Sequence, residues 1–264
     1  MELIQKHRHD YMEEGNKLVC SYCKKTKLLL KSVNEDLRIG VKKDGKRYTV
    51  RKDRRRYFFP HEWNKFYATL KNDKHKILFL TLLHTGARIM EALHIRPKDI
   101  NFERETITLE VTKNRSAKRN IYAMGAKRSF FVSKKYLKEL KKYIKKYNIK
   151  DEEYFFLDND KLPENYIDLP NKEKLKYFGN KSISYRELLK RKMKKTGIKD
   201  WYNFSLHNLR KTYGNWIKTF DIRTAELCYR MGHDLDTYLT HYGSPMIFTA
   251  QERIEIMKIL GEIK

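Results

Sequence analysis

Cysteine is almost missing from this chain: its 264 residues hold three, Cys20, Cys23 and Cys228. Three thiols cannot build a disulfide framework, so the expected setting is a reducing cytoplasm. Long apolar runs are missing too. The most apolar stretch, residues 77–83, has seven residues with Thr81 among them, whereas a membrane-spanning helix needs roughly 20. Membrane insertion is thereby excluded. The opening MELIQKHRHD mixes both charge signs and offers no apolar stretch for a secretory signal. Acidic residues are scarce beside basic ones, 33 against 59, for a formal net charge of +26 and a pI of about 9.8. That excess points to a polyanionic partner ahead of acidic small substrates or anionic membranes. What remains is a hydrophobic fraction of 40% and an aromatic fraction of 13%, enough for a core and too much for disorder. The length suits one large domain, or a mid-sized domain with a small appendage.

Composition changes near Tyr57. Residues 1–56 contain the Cys20–Cys23 pair and a basic stretch, KRYTVRKDRRR, in which Tyr48 and Val50 alternate with Arg47, Thr49 and Arg51 after the turn signal Asp44-Gly45. This reads as a hairpin with one basic face, in a segment too short for a large core of its own. From Pro60 the period becomes helical: Trp63, Phe66, Tyr67 and Leu70 form one stripe, residues 76–84 a helix buried nearly all round, and residues 89–93 a short helix stopped by Pro97. Ile107, Leu109 and Val111 alternate as a strand, with residues 130–132 as its partner. Leu137, Leu140, Ile144 and Tyr147 mark a helix whose other face is lysine-rich. Residues 158–181, with Pro163, Pro170 and Gly179, read as a long surface connection, followed by a helix capped by Ser182 and ended by Gly197. Three short helices are expected near 207–219, 224–231 and 234–240. A last one opens on the capping box from Thr249 to Glu252, with a stripe at Ile256, Ile259, Leu260 and Ile263. The fold class is mainly α with a small antiparallel sheet.

Three local signatures carry chemistry. They are Thr85-Gly86-Ala87-Arg88-Ile89-Met90-Glu91-Ala92-Leu93, His207-Asn208-Leu209-Arg210-Lys211-Thr212, and Met231-Gly232-His233 followed nine residues later by Tyr242. In order and spacing this resembles the catalytic domain of the tyrosine recombinases, the phage-type and archaeal or bacterial Xer-like integrases, with their TGxRxxEL, HxLRxT and LGH…Y motifs. The 23 residues from Arg210 to His233 and the nine from His233 to Tyr242 match the family, and the likeness covers roughly residues 58–264. The chain is thus expected to hold a recombinase catalytic domain at 57–264 behind a short N-terminal appendage at 1–56.

The resemblance implies a site. Arg88 and Arg210 would neutralise charge on the nonbridging oxygens of a DNA phosphodiester, as planar, always-charged forks can. His207 and His233 would hold the phosphate and help move a proton. Tyr242 would attack phosphorus to give a 3′-phosphotyrosyl link, which stores the bond for rejoining without ATP or another cofactor. Glu91, one turn after Arg88, would orient it. The general acid would be a hairpin lysine, here Lys113, with Lys118 and Lys127 as the alternatives. Thr85 and Gly86 read as turn chemistry, Trp216 as core, and Tyr238 competes with Tyr242 only by proximity.

The resemblance also implies double-stranded DNA as partner and a homotetramer on paired sites. The final helix would dock on a neighbouring subunit or pack on its own domain. Longer members precede the catalytic part with a helical DNA-binding domain of roughly a hundred residues, and residues 1–56 offer about half that room. Cys20 and Cys23 with His7 and His9 could bind zinc, which would stabilise so small a segment; the alternative is a pair of idle thiols. Two other functions stay open: a topoisomerase of type IB, and a non-catalytic DNA-binding remnant of a mobile element.

Overall fold

The computed structural model describes residues 11–14, 17–20, 26–28, 37–41, 47–51, 56–110, 127–169, 171–233, 235, 238 and 248–262, with backbone alone before residue 56. The chain divides into two units, Met1–Arg54 and Arg55–Lys264. In the first, β1 (Tyr11–Glu14), β2 (Lys17–Cys20) and β3 (Thr26–Leu28) form an antiparallel sheet in that order. Then β4 (Leu37–Val41) and β5 (Arg47–Arg51) pair with Val41 opposite Arg47, the hairpin anticipated around Asp44-Gly45. The β1–β3 sheet was not legible, because strands of three or four residues show no period. Cys20 closes β2; its side chain, Cys23, His7 and His9 lie outside the described residues. Among the described residues no three His, Cys, Asp or Glu side chains gather as a metal site, and no helix is long and apolar enough to cross a membrane.

The second unit is built around one buried helix. First, α1 (Pro60–Ala68) starts on Pro60, where a missing N–H costs nothing, and Glu62 turns back to accept the Phe59 N–H at 2.9 Å. Next, α2 (Asp73–Thr85) is capped by Asn72, which accepts the His75 N–H, and stops where Gly86 turns left-handed at φ +58°. Ile77, Leu78, Phe79, Leu82 and Leu83 are buried around its circumference, the mark of a core helix. It packs between α4 (Lys134–Tyr147) and α6 (Leu206–Trp216) and meets the short α3 (Ile89–Leu93). Trp216 is core as expected, its indole N–H donating to the Phe58 carbonyl at 2.9 Å.

The small sheet runs β6 (Ile100–Asn101), β7 (Thr106–Glu110), β8 (Lys127–Phe131), all antiparallel. Ile107 faces Phe130 and Leu109 faces Arg128 across the β7–β8 ladder. Alternation puts all four on the covered face, so an arginine occupies a core position. Val111 lies outside the described residues.

Two expectations need correction, the surface connection up to residue 181 and the helix cap at Ser182. Residues 171–181 are not a surface connection: α5 runs over Asn171–Lys194, with Ser182 in its interior. Proline and glycine at 170 and 179 look like breakers, yet Phe178, Tyr185, Leu188, Leu189 and Met193 are buried at helical spacing. Phe178 sits edge-on to the His94 ring at 4.9 Å, bracing the end of α3. The last helix, α8 (Ala250–Leu260), keeps its capping box, with Thr249 accepting the Glu252 N–H. Its stripe packs inward: Ile256 and Leu260 are wholly buried in the main core, with Ile259 against it. These residues pack on their own domain, and Ile263 of the expected stripe lies outside the described residues. Between them, α7 (Thr224–Met231) ends at Gly232, φ +58°. The helix expected at 234–240 falls mostly outside the described residues.

Candidate active site

The site forms where α2 ends, α3 begins and α6 and α7 converge. At the end of α2 the Thr85 hydroxyl donates to the Thr81 carbonyl at 2.6 Å and accepts the Ala87 N–H at 3.1 Å. Gly86 is required twice over. Its φ is left-handed, and a Cβ there would stand 2.3 Å from Cδ1 of Tyr213, whose ring lies against the bare α-carbon. The turn aims the Gly86 carbonyl at α6, where it accepts a hydrogen bond from Arg210 Nη1 at 2.6 Å.

Arg88 then caps α3. Glu91, in its first turn, accepts the Arg88 backbone N–H on Oε2 at 2.9 Å and the Arg88 Nη1 on Oε1 at 2.8 Å. The same carboxylate takes Nη2 of Arg128 on Oε2 at 2.6 Å and lies 3.9 Å from Nη1 of Arg210. Burial opposes ionisation of Glu91, but Arg128, Arg210 and Arg88 outweigh it and hold the carboxyl down at about 2. Among the described residues, three guanidiniums around one carboxylate leave a local charge of two positive units. The Arg88 side chain keeps 21% exposure, against 1% for Arg210 and none for Arg128. An anion arriving from solvent therefore meets Arg88 first, with Arg210 behind it.

Arg210 is fixed from the far side as well. Its Nη2 donates to the Met231 carbonyl and lies 2.8 Å from His233 Nε2. A guanidinium can only donate, so Nε2 accepts, and a neutral His233 ring carries its proton on Nδ1. The His233 backbone N–H is held by the Cys228 carbonyl at 3.0 Å as α7 unwinds at Gly232. The second residue of α6, His207, is exposed and stands one turn before Arg210.

The fold thus brings Arg88, Glu91, Arg210 and His233 into one contact network, with His207 on the open first turn of α6. Lys113, Lys118 and Tyr242 lie outside the described residues. Lys127 opens β8, exposed and opposite Glu110. One member of the network escaped sequence reasoning. Arg128 is wholly buried, ion-paired to Glu91, and donates through Nε to the Arg230 carbonyl at 3.0 Å. The signal was present: Arg128 precedes the core residue Phe130 by two, so a strand places both on one face, and a buried arginine calls for a carboxylate.

Comparison with known proteins bears on the family and the fold. The sequence profile of the phage integrase family matches residues 56–245. Among solved structures the fold is similar to the XerA recombinase, at 15% identity and TM-score 0.51 over 77% of this chain and 64% of that one. It is similar to the Tn1549 transposon integrase in complex with transposon right end DNA, at 19% identity and TM-score 0.52 over 79% and 67%. It is also similar to the XerH site-specific recombinase bound to difH substrate, at 15% identity and TM-score 0.50 over 86% and 61%. The chain spans less than two thirds of the XerA and XerH chains. Curated protein sequences give no match.

Proposed function

The chain belongs to the phage integrase family, and from that premise we propose that it is a site-specific DNA recombinase. It cuts one strand of a duplex without metal, holds the end covalently, and rejoins it to a new partner. The observation that carries this reading is the surplus-positive cluster of Arg88, Arg128, Arg210 and Glu91 with His233 on its rim. A phosphodiester bound there has its nonbridging oxygens against Arg88 and Arg210, and these stabilise the charge that grows in the transition state. The Tyr242 oxygen attacks phosphorus; the P–O5′ bond breaks as the P–O bond to tyrosine forms. The phenolic proton passes to His207, or to His233 once its Nε2 is released from Arg210, and the leaving 5′-oxygen takes one from Lys113, with Lys118 or Lys127 in reserve. Reversal by another 5′-hydroxyl reseals the strand. The substrate is double-stranded DNA in a cytoplasmic setting, and exchange between paired sites takes four copies. No cofactor is required for the chemistry, and zinc on Cys20 and Cys23 would serve the N-terminal unit alone.

The test is covalent trapping. Nicked duplex fragments from the source genome, end-labelled and incubated with protein, should yield a band linked through a 3′-phosphate that survives denaturation. Tyr242→Phe keeps the ring and should give no such band while still shifting DNA in native gels. Cleavage without any adduct would mean that water is the nucleophile and would sink the recombinase reading.

A further inference from the structure

Glu91 has two carboxylate oxygens and three guanidiniums within reach, so what each takes decides the charge left for DNA. Arg128 takes the most. It holds both oxygens, at 2.6 Å through Nη2 and 3.4 Å through Nη1. Its side chain is wholly buried, and its Nη1 and Nη2 are turned to Glu91 while Nε is turned to the Arg230 carbonyl. It also touches the other half of the site. Nε donates to the Arg230 carbonyl, and a Cβ on Gly232 would stand 3.4 Å from its Nη1. One guanidinium therefore spans the helix carrying Arg88 and the turn carrying His233.

We propose that Arg128 is a positioning residue of the strand-transfer reaction, acting as the counter-charge that keeps Glu91 from neutralising Arg88 and Arg210. The proposal rests on the recombinase reading above. With Arg128 the cluster has three cations and one anion. Without it, among the described residues, a buried carboxylate faces Arg88 at 2.8 Å and Arg210 at 3.9 Å. It would draw in the two groups that the phosphate needs. The low ionisation range of Glu91 fits this, since Arg128 is foremost among the three cations that hold it ionised. Arg128 thus acts through charge, and a residue present only to fill and tie the core would not.

Charge can be restored without restoring the contact. Arg128→Met should slow adduct formation about 100-fold, the scale of losing one aligned transition-state donor, with DNA affinity almost unchanged because many other lysines and arginines contact phosphate. Adding Glu91→Gln removes the surplus negative charge, keeps an acceptor for the Arg88 N–H, and returns the cluster to two positive units. The double variant should recover at least about tenfold of the lost rate. A double variant no faster than Arg128→Met, or a wild-type rate in Arg128→Met, overturns the proposal. Should Arg128→Met not fold, the double variant decides alone, since replacing both charges of a buried pair is tolerated far better than removing one. A rate within about tenfold of wild type upholds the proposal and a slower one overturns it. Thermal protection by inorganic phosphate, measured on the same proteins, separates the two readings. If wild type forms no adduct, the recombinase reading fails. Phosphate should still protect wild type and the double variant more than Arg128→Met, and equal protection of all three would refute the counter-charge.

Discussion

Among its described residues the second unit has two apolar cores of very different size. The large one wraps α2 in an aromatic lattice, with Phe58 and Phe204 ring centroids 4.3 Å apart and Phe66 edge-on to Phe79 at 4.9 Å. The small one gathers Tyr213, Ile217, Leu227, Cys228, Met231 and Tyr238 between α6 and α7. In the large core the buried area itself is the point, and it supplies most of the free energy of folding. In the small one, three of the six residues reach the site directly. Tyr213 lies against Gly86, the Met231 carbonyl accepts from Arg210, and the Cys228 carbonyl holds the His233 N–H. The small core thus gives the larger share of its residues to the site, and substitutions in the two cores should differ in how far they damage stability and site geometry.

The largest effect belongs to the large core. Phe79→Ala removes a wholly buried ring from the centre of α2 and should cost about 3–5 kcal/mol, read as a lower urea midpoint with unchanged slope. Where the variant remains folded, adduct formation should stay near wild type. A selective loss of activity at intact stability would mean that the division between the cores is wrong.

Acid comes next and strikes the charged cluster that borders the small core. Glu91 is held at about 2 against an ordinary 4.5, so the folded state binds its proton less readily than the unfolded chain. Its contribution is complete above about pH 4.5 and disappears as pH falls through about 2, amounting to about 3 kcal/mol. Chemical denaturation from pH 6 to 2 should show this slope in the wild type and a flatter one in Glu91→Gln. Parallel curves would assign the acid sensitivity to other carboxylates.

The sequence showed the large core and the candidate residues of the site far better than it showed what holds them. The helical period from Trp63, the apolar α2 and the alternation of β7 are local patterns, and each element appears, with Leu70 beyond the end of α1 and Val111 outside the described residues. Arg88 and Arg210 stood out through the resemblance of their motifs to the tyrosine recombinases. Arg128 did not, because its partner Glu91 is 37 residues away and only the strand register brings them together. The same holds for the carbonyls of Gly86 and Met231, which every residue type presents alike and only the fold can aim. The start of α5 was hidden by Pro170 and Gly179, where burial of Phe178 against His94 overrides local preference. The inward packing of α8 was undecidable from an apolar stripe, which looks the same whether it covers its own domain or another copy.

A smaller effect tests the junction between the cores. Gly86→Ala places a methyl group in the Tyr213 ring and forces a left-handed backbone on an L side chain. The cost should be about 1–3 kcal/mol. The loss in adduct rate should be larger than that of Phe79→Ala, because the displaced group is the carbonyl that fixes Arg210. Comparing the two variants at equal fractions folded is the measurement. Equal rates there would mean that Arg210 does not need this acceptor.

The smallest expected effect is the most selective. Tyr238 lies four residues from Tyr242 and could pass for the nucleophile, but it belongs to the small core. Its side chain is buried, the ring sits under Lys218 Nζ at 5.2 Å, and its hydroxyl makes a long 3.5 Å hydrogen bond to the Gly214 carbonyl. Burial pushes its phenol above the ordinary value of 10, which disfavours the phenolate a nucleophile would need. Tyr238→Phe deletes one weak hydrogen bond and keeps the packing, so stability should fall by about 0.5 kcal/mol or less. Adduct formation should be unchanged. Loss of the adduct in Tyr238→Phe with its persistence in Tyr242→Phe would move the nucleophile into the small core, which would then take part in the chemistry as well as in its alignment. Loss in both would tie the two tyrosines to one local conformation, and the folded stability of each variant would then show whether the loop or the chemistry had failed.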